Sequence, residues 1–254
     1  MDILSTIADG IQTLTFNRPA KKNAITAAMY QALADGVRAG EADASVRTIL
    51  ICGRPEIFTA GNDLEDFMKA PPHGDDSPVF QFLTAISTAE KPLVAAVRGA
   101  AVGVGTTLLL HCDLVYAGLS ARFSLPFAQL GLCPEAASSL LLPQMIGYRH
   151  AAEKLLLGEP FGADEALKMG FVNQVLDDDA VLEHARAQAA KLAALPASSI
   201  RATKKLMKSD AAGGVAARMR KEGLAFRAML SSPEAREAFT AFFEKRKPDF
   251  KQFA

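Results

Sequence analysis

The sequence predicts an α/β fold, because strand patterns and helix patterns alternate along most of the chain. Continuous apolar stretches at 47–52, 93–97 and 114–117 fit buried strands, and helical patterns lie between them. From about residue 178 the strand patterns end and only helical patterns remain. With 254 residues, half of them hydrophobic, the chain is long enough for one large domain or two modest ones.

The elements before the first buried strand are well marked. Residues 3–8 and 11–17 alternate as two strands around an Asp-Gly turn, which is a hairpin signal. Thr26 is expected to cap a helix that ends at Ala39. Farther on, the segment 71–78 contains nothing that could pack against a core, and it is expected to be mobile.

The last part of the chain reads as helices. The predicted ranges are 181–195, 198–208, 215–230 and 233–245.

The composition excludes several classes of partner. Lys plus Arg equals Asp plus Glu, so a nucleic-acid partner is not expected. No apolar run reaches the roughly 20 residues of a membrane span, and no secretory signal is evident, so we expect a cytoplasmic protein without a membrane partner. Cys52, Cys112 and Cys133 have apolar neighbours and no paired spacing, which predicts buried thiols rather than disulfides or a metal site.

Two short stretches carry the candidate chemistry. Phe58-Thr-Ala-Gly-Asn-Asp-Leu64 and Gly99-Ala-Ala-Val-Gly-Val-Gly-Thr106 each join an apolar approach, a turn of small residues and the start of a helix. Such turns leave backbone N–H groups that can face negative charge. Two of them, on either side of a strand-like segment at 91–98, predict a two-donor oxyanion hole. Taken singly, each glycine pattern would fit an ordinary tight turn.

In this order the two stretches resemble the crotonase (enoyl-CoA hydratase/isomerase) superfamily. Other segments fall in the same order as in that superfamily, from the early Asn17-Arg18-Pro19 to the end of the chain; they are 17–25, 112–117, 134–139, 163–172, 232–239 and 243–250. The resemblance implies a core of repeated ββα units over 1–194. It also implies a helical region over 195–254 that closes the coenzyme A site and builds a homotrimer, or a hexamer as a dimer of trimers.

The resemblance also implies a substrate and a set of site residues. The substrate would be an acyl-CoA thioester of fatty-acid metabolism, with no separate cofactor and no metal. Its thioester oxygen would accept hydrogen bonds from the peptide N–H groups of Asn62 and Val104. Lys21 and Lys22 are candidates for the phosphates of coenzyme A, although exposed lysines usually only solvate a surface. The remaining candidate substrate-binding residues are Ala24, Ala60, Gly61, Asp63, Leu64, Gly103, Thr107, Phe127, Leu130 and Pro134.

The side chains opposite the oxyanion hole decide the reaction. Hydratases of the superfamily place two glutamates there, and the matching positions hold Thr107 and Phe127. Glu135, in Pro134-Glu135-Ala-Ala-Ser-Ser, instead matches the catalytic glutamate of peroxisomal-type Δ3-Δ2-enoyl-CoA isomerases. The resemblance therefore implies an isomerase in which one carboxyl group takes a proton from C2 and returns it to C4.

Alternatives remain at this stage. Glu135 could only begin a helix after Pro134, facing the helix dipole. The chain could then be a non-catalytic acyl-CoA-binding scaffold, or it could be a 2-enoyl-CoA hydratase or another crotonase lyase. Asp63 is expected mainly to cap the next helix. His111-Cys112-Asp113 reads as core rather than as a metal cluster. Five apolar residues either line a tail pocket or pack in the core: Phe67, Met68, Phe80, Phe82 and Leu83.

Overall fold

The computed structural model describes residues 1–54, 57–69, 74 and 76–253, with the side chains of 210–212 left aside. Its main sheet has six strands in the order β1 (Ile3–Ala8), β2 (Ile11–Phe16), β3 (Thr48–Gly53), β4 (Leu93–Val97), β6 (Leu114–Gly118) and β9 (Gln174–Leu176). β1 and β2 are antiparallel, and every later pairing in this sheet is parallel. The predicted α/β class is confirmed.

A second, smaller sheet lies beside the first. It contains β5 (Ala100–Val102), β7 (Arg122–Ser124) and β8 (Phe161–Gly162). β5 pairs with β7 in parallel, and β7 pairs with β8 antiparallel. The sequence patterns did not predict these strands, because two or three residues are too few to show a period.

Ten α-helices complete the described part of the chain. They are α1 (Ala27–Ala42), α2 (Leu64–Lys69), α3 (Pro78–Thr88), α4 (Val104–Thr107), α5 (Ser138–Ile146), α6 (Tyr148–Leu157), α7 (Ala163–Lys168), α8 (Val181–Ala194), α9 (Ala197–Leu230) and α10 (Pro233–Phe243). Single 3₁₀ turns occur at Pro19–Lys21, Leu108–His111, Ala128–Leu130 and Phe250–Phe253.

The main sheet is covered on both faces, which explains why its central strands are apolar throughout. Alternate residues of β3 and β4, such as Leu50 and Val94, pack with Ala185 and the rest of the inner face of α8. The intervening residues, such as Ile51 and Ala95, face the larger core beneath α1 and α3. Strands buried on both sides are typical of parallel sheets between helices.

The N-terminal predictions are confirmed. The hairpin pairs Ile3 with Phe16 and Ala8 with Ile11 around Asp9-Gly10, whose residues both have positive φ. The Thr26 side chain accepts a hydrogen bond from the Met29 N–H and caps α1. The helix ends at Ala42 rather than Ala39.

The predicted break at 209–214 in the C-terminal helices is wrong. α9 continues through Gly213 and Gly214 as one helix of 34 residues. Each of the two adjacent glycines costs a helix roughly 1 kcal/mol relative to alanine. The helix nevertheless continues, and it has buried side chains on both sides of the pair, such as Lys204 and Phe226.

The segment 71–78 lies largely outside the described residues. All three cysteines are free; Cys52 is buried, whereas Cys112 and Cys133 are only partly buried. Among the described residues no cluster suits a metal ion, and no helix is long and apolar enough to cross a membrane.

Candidate active site

The first oxyanion turn follows β3 and is held by the segment that precedes α1. The Asn23 side-chain amide donates to the backbone oxygens of Ile57 and Phe58 at 2.9 and 3.2 Å. The Thr59 hydroxyl returns a bond to the Asn23 carbonyl at 2.7 Å. Asn23 is fully buried, so these bonds fix the turn against a segment distant in sequence.

The second turn follows β4 and β5 and lies against the first. Thr59 pairs with Ala101, so the chain leaving β3 runs beside β5. A Cβ added at Gly61 would lie 2.7 Å from the Val102 carbonyl oxygen, and one added at Gly105 would lie 2.5 Å from the Thr59 methyl carbon. These two glycines are therefore required by close contact between the turns.

Both predicted oxyanion donors point away from internal partners. Among the described residues, no acceptor binds the N–H of Asn62 or that of Val104. Val104 is the first residue of α4, where a helix leaves its N–H groups unpaired. Both residues line one cavity of about 920 Å³. The turns can therefore present two donors to a single oxygen atom.

This large cavity brings together most of the predicted substrate-binding residues. Those that line it are Lys21, Lys22, Ala24, Ala60, Gly61, Asp63, Leu64, Gly103, Phe127 and Leu130. The helical region supplies the facing wall, including Phe239, Phe242 and Phe243 of α10 and Arg246 and Lys247 after it. Lysines from both ends of the sequence, Lys21, Lys22 and Lys247, thus line one cavity mouth, which suits a polyphosphate. Arg246 lies beside them and pairs with Glu237 and Glu244.

Two predicted residues do not line the large cavity or the other described cavities. Thr107 is fully buried, and its hydroxyl donates to a Glu135 carboxylate oxygen at 2.5 Å. Thr107 therefore contacts the candidate base, and its role as a substrate contact stays a prediction. Pro134 lies next to that base and outside the described cavities. Asp63 caps α2 through the Asp66 N–H and also binds Arg18 at 2.7 Å.

Glu135 opens onto a smaller cavity of about 30 Å³ that also contacts Asn62. Its side chain is only partly exposed, and loss of hydration raises the pKa of the carboxyl group to about 7. The negative charge of Glu222 raises this pKa further, whereas the hydrogen bond from Thr107 lowers it. A carboxyl group with this pKa can both accept and return a proton near neutral pH.

Glu135 does not begin a helix. The next two residues, Ala136 and Ala137, both have left-handed backbone with φ of 59° and 57°, and α5 starts only at Ser138. The alternative that Glu135 serves as a helix start is therefore wrong. Two consecutive non-glycine residues with positive φ are uncommon and strained, and neighbouring groups must hold them.

Glu222 of α9 holds this strained segment. Its carboxylate accepts hydrogen bonds from the N–H of Ala137 at 2.6 Å, from the N–H of Ser139 at 3.0 Å and from the Ser139 hydroxyl at 2.5 Å. The side chain is buried, which raises its own pKa, and Arg218 donates to the same Ser139 hydroxyl. The Glu222 carboxylate thus caps the start of α5, a role that the sequence alternative gave to Pro134 and Glu135.

His111 supports the same segment from the other side. It is buried, as predicted for a core residue, and its Nε2 lies 2.8 Å from the Ala136 carbonyl oxygen. Burial lowers the pKa of the imidazole to about 4, so His111 is neutral at pH 7. The Nε2–H tautomer then donates to Ala136.

Tyr30 and Asn62 form a further contact at the site. The buried Tyr30 hydroxyl donates to the side-chain oxygen of Asn62. Burial and the nearby Glu135 charge raise the pKa of Tyr30, so the phenol stays protonated. The Asn62 side chain is thereby fixed. Its backbone is held separately, because the Ile25 N–H donates to the Gly61 carbonyl at 2.8 Å and the Asp63 N–H donates to the Ile25 carbonyl at 2.9 Å.

The five candidate tail residues divide into two groups. Phe67, Phe80 and Leu83 line the small cavity beside Glu135. Phe82 is fully buried in the core, and Met68 is half exposed and lines none of the described cavities.

Comparisons with known proteins agree with this geometry. A family model described as "Enoyl-CoA hydratase/isomerase" matches residues 6–253. The chain is 34% identical over 241 residues to the 2,3-dehydroadipyl-CoA hydratase of Escherichia coli, covering 94% of each. It is 36% identical over 250 residues to enoyl-CoA delta isomerase 2 of Rattus norvegicus, covering 96% of this chain and 64% of the rat protein. The crystal structure of an enoyl-CoA hydratase/isomerase from Pseudoalteromonas atlantica superposes with a TM-score of 0.94 at 42% identity, covering 98% of this chain and 100% of that one.

Proposed function

The chain belongs to the enoyl-CoA hydratase/isomerase family, and within that family we propose that it is a Δ3-Δ2-enoyl-CoA isomerase. The observation that supports this choice is the single carboxyl group of Glu135, with a pKa of about 7, on a cavity shared with Asn62. Thr107 and Phe127 stand where a hydratase of the superfamily would have its two glutamates.

The proposed reaction uses one base twice. Glu135 takes a proton from C2 of a 3-enoyl-CoA, and the electrons of the broken C–H bond enter a dienolate. The N–H groups of Asn62 and Val104 stabilise the negative charge on the thioester oxygen. Protonation at C4 by the same carboxyl group then leaves a double bond between C2 and C3. The reaction moves one proton from C2 to C4 and adds or removes no atom.

The alternatives are a 2-enoyl-CoA hydratase and a non-catalytic acyl-CoA-binding scaffold. The similarity to the Escherichia coli hydratase keeps the first alternative open. Separate assays with a 3-enoyl-CoA and a 2-enoyl-CoA discriminate all three. We expect conversion of the 3-enoyl-CoA to its 2-enoyl isomer, with little water addition to the 2-enoyl-CoA.

The matching variant is Glu135→Gln, which keeps the size of the side chain but cannot accept the C2 proton. Isomerisation should fall at least about a hundredfold, because general-base catalysis contributes that much. Binding of a saturated acyl-CoA should persist, since the oxyanion donors and the cationic mouth are unchanged. Near-normal turnover by the folded variant would contradict the assignment of Glu135.

A further inference from the structure

A second cavity lies beyond the one at Glu135, between α3 and α9. It measures about 200 Å³, and it shares Phe80, Met219 and Gly223 with the small cavity at Glu135. We call it the distal cavity. The shared residues form the boundary between the two spaces.

The boundary is thin at Gly223. A Cβ added there would lie 2.9 Å from Cε1 of Phe80, so the ring packs directly on the helix backbone. Phe80 and the flexible Met219 are therefore the side chains that separate the cavities. Rotation of these two side chains would connect the spaces without moving a helix.

The far side of the distal cavity is cationic. Arg220 and Arg227 both line it, and the described lining contains no acidic residue. The Arg227 guanidinium carbon lies 5.2 Å from the Phe80 ring centroid, which places this cation at the end of the apolar boundary. Among the described residues, Arg220 makes no hydrogen bond or ion pair, and it is exposed.

Hydroxyl groups of α3 also line this cavity, and two of them have their protons engaged. Ser87 and Thr88 both donate to the backbone oxygen of Thr84, at 3.0 and 2.8 Å. The two guanidinium groups are the charged donors that line the space. A hydrocarbon end would gain nothing from them, whereas a carboxylate could form charge-assisted, bidentate hydrogen bonds.

We propose that the distal cavity receives a carboxylate at the far end of the acyl chain, so that the preferred substrates are CoA thioesters of dicarboxylic acids. This inference rests on the proposed function, because it takes Glu135 as the point where the acyl chain reacts. Arg220 and Arg227 are its specificity-determining residues. Gly223, which has no side chain, keeps the boundary between the two cavities thin.

Binding of saturated probes tests the inference without turnover. Adipyl-, suberyl- and sebacyl-CoA are compared by calorimetry with hexanoyl-, octanoyl- and decanoyl-CoA. At the length that reaches the distal cavity, the carboxylate-ended probe should bind about tenfold or more tightly, as expected for a charge-assisted hydrogen bond. This preference should shrink as salt is raised.

Variants identify the residues responsible. Arg220→Gln and Arg227→Gln should each reduce the ratio of carboxylate-ended to methyl-ended affinity. Lys221→Gln removes the same charge from the same helix at an exposed position outside the described cavities, so it is the matched control. Gly223→Val should weaken the longer probes of both series more than the shorter ones, and its folding is checked by thermal unfolding.

The outcomes separate the two proposals. Equal affinity of both series at every length, or arginine variants that act no more than Lys221→Gln, would overturn the carboxylate subsite and leave the isomerase proposal in place. A carboxylate preference without any 3-enoyl-CoA turnover would contradict the isomerase and retain the subsite. Failure of every acyl-CoA to bind would overturn both.

Discussion

The pKa of Glu135 is set by two effects that raise it and one hydrogen bond that lowers it. Loss of hydration and the charge of Glu222 raise the pKa of the carboxyl group, while the Thr107 hydroxyl lowers it, and the result is about 7. A lower pKa would make the group a weaker base, and a higher one would leave it protonated near neutral pH. The carboxyl group is therefore poised to move a proton in both directions.

This pKa predicts the pH dependence of isomerisation. A general base must be deprotonated, so kcat/KM should rise with pH through about 7 and then level off. Glu222→Gln removes the negative charge that raises the pKa, so the rising limb should move to lower pH, by up to roughly one unit. Rate profiles of both proteins measure the shift.

A control separates charge from structure. Gln cannot accept all three hydrogen bonds that Glu222 accepts, so kcat should also decrease. Ser139→Ala removes one of those bonds and keeps the charge, and its rising limb should stay in place. A profile of Glu222→Gln that superposes on the wild type, with folding intact, would show that Glu222 does not tune Glu135.

The sequence could indicate Asn62, Val104 and Glu135 because each lies in a short motif. It could not indicate Glu222, which contacts Ala137 across 85 positions of the chain. His111 was visible only as a core residue, although it holds the Ala136 carbonyl. Positioning residues of this kind have no local pattern, because their partners come together only in the folded chain.

At the scale of elements, the two oxyanion turns depend on neighbouring parallel strands. β3 and β4 pair side by side, so the turns after them meet at one edge of the sheet. The first turn of α4 then adds the partial positive charge of a helix N-terminus, although four residues make that contribution small. The two N–H donors therefore stabilise the oxyanion more than the dipole of α4 does.

Val104→Pro tests the second donor. It removes one peptide N–H at the first helical position, where proline is best tolerated. The transition state should lose about 3 kcal/mol, or roughly a hundredfold in kcat, as for other oxyanion-hole donors. Val104→Ala keeps the N–H and is the control. Circular dichroism establishes folding, and a fully active Val104→Pro protein would place the donor elsewhere.

The sequence predicted helices and strands well where their hydrophobic patterns were long. β4 was expected over 93–97 and occurs at Leu93–Val97, because a fully apolar run between turns has few alternatives. The strands of the small sheet have two or three residues each and carry no detectable period. α9 was divided at its glycines because local propensity favours a break there, whereas the folded chain continues the helix and buries Lys204 before them and Phe226 after them.

The segment around Lys21 and the chain after α10 form the cationic mouth together. Lys21 and Lys22 are exposed, and with Arg246 and Lys247 they line the large cavity. Replacing Lys21 and Lys22 by Ala should weaken binding of coenzyme A severalfold at low salt and less at high salt, because exposed charges are screened. Calorimetry at two ionic strengths measures this, and unchanged affinity at both would remove these lysines from the site.

At the scale of the molecule, the site is built from both ends of the chain. The ββα-like core supplies the oxyanion turns and Glu135, while α9 supplies Glu222 and Phe226. Residue 195 therefore divides two kinds of sequence pattern, but the candidate site contains residues from both sides of it. Loss of the helical region would leave Ala137 and Ser139 without their carboxylate partner.

The helical region over 195–254 also predicts that the chain assembles into an oligomer. The apolar faces expected to build a trimer include Phe226, Met229, Phe239, Phe242 and Phe243. Phe226 and Phe239 are buried within the chain and line the large cavity, whereas Phe242 is 58% exposed and Phe243 is 43% exposed. Other apolar side chains of α9 and α6 remain more than half exposed in the single chain: Leu206, Met207, Leu224, Tyr148, Leu156 and Leu157. This much exposed apolar surface is typical of a protein that associates.

We therefore expect a homotrimer, or a hexamer, in which these side chains of α9 and α6 are covered. Light scattering should give a mass of three or six chains at micromolar concentration. Leu206→Glu combined with Met207→Glu should yield smaller species, because charges would enter an apolar interface. Lys205→Glu, which changes a charged neighbour, is the control. A wild-type chain that stays monomeric at micromolar concentration would contradict the prediction.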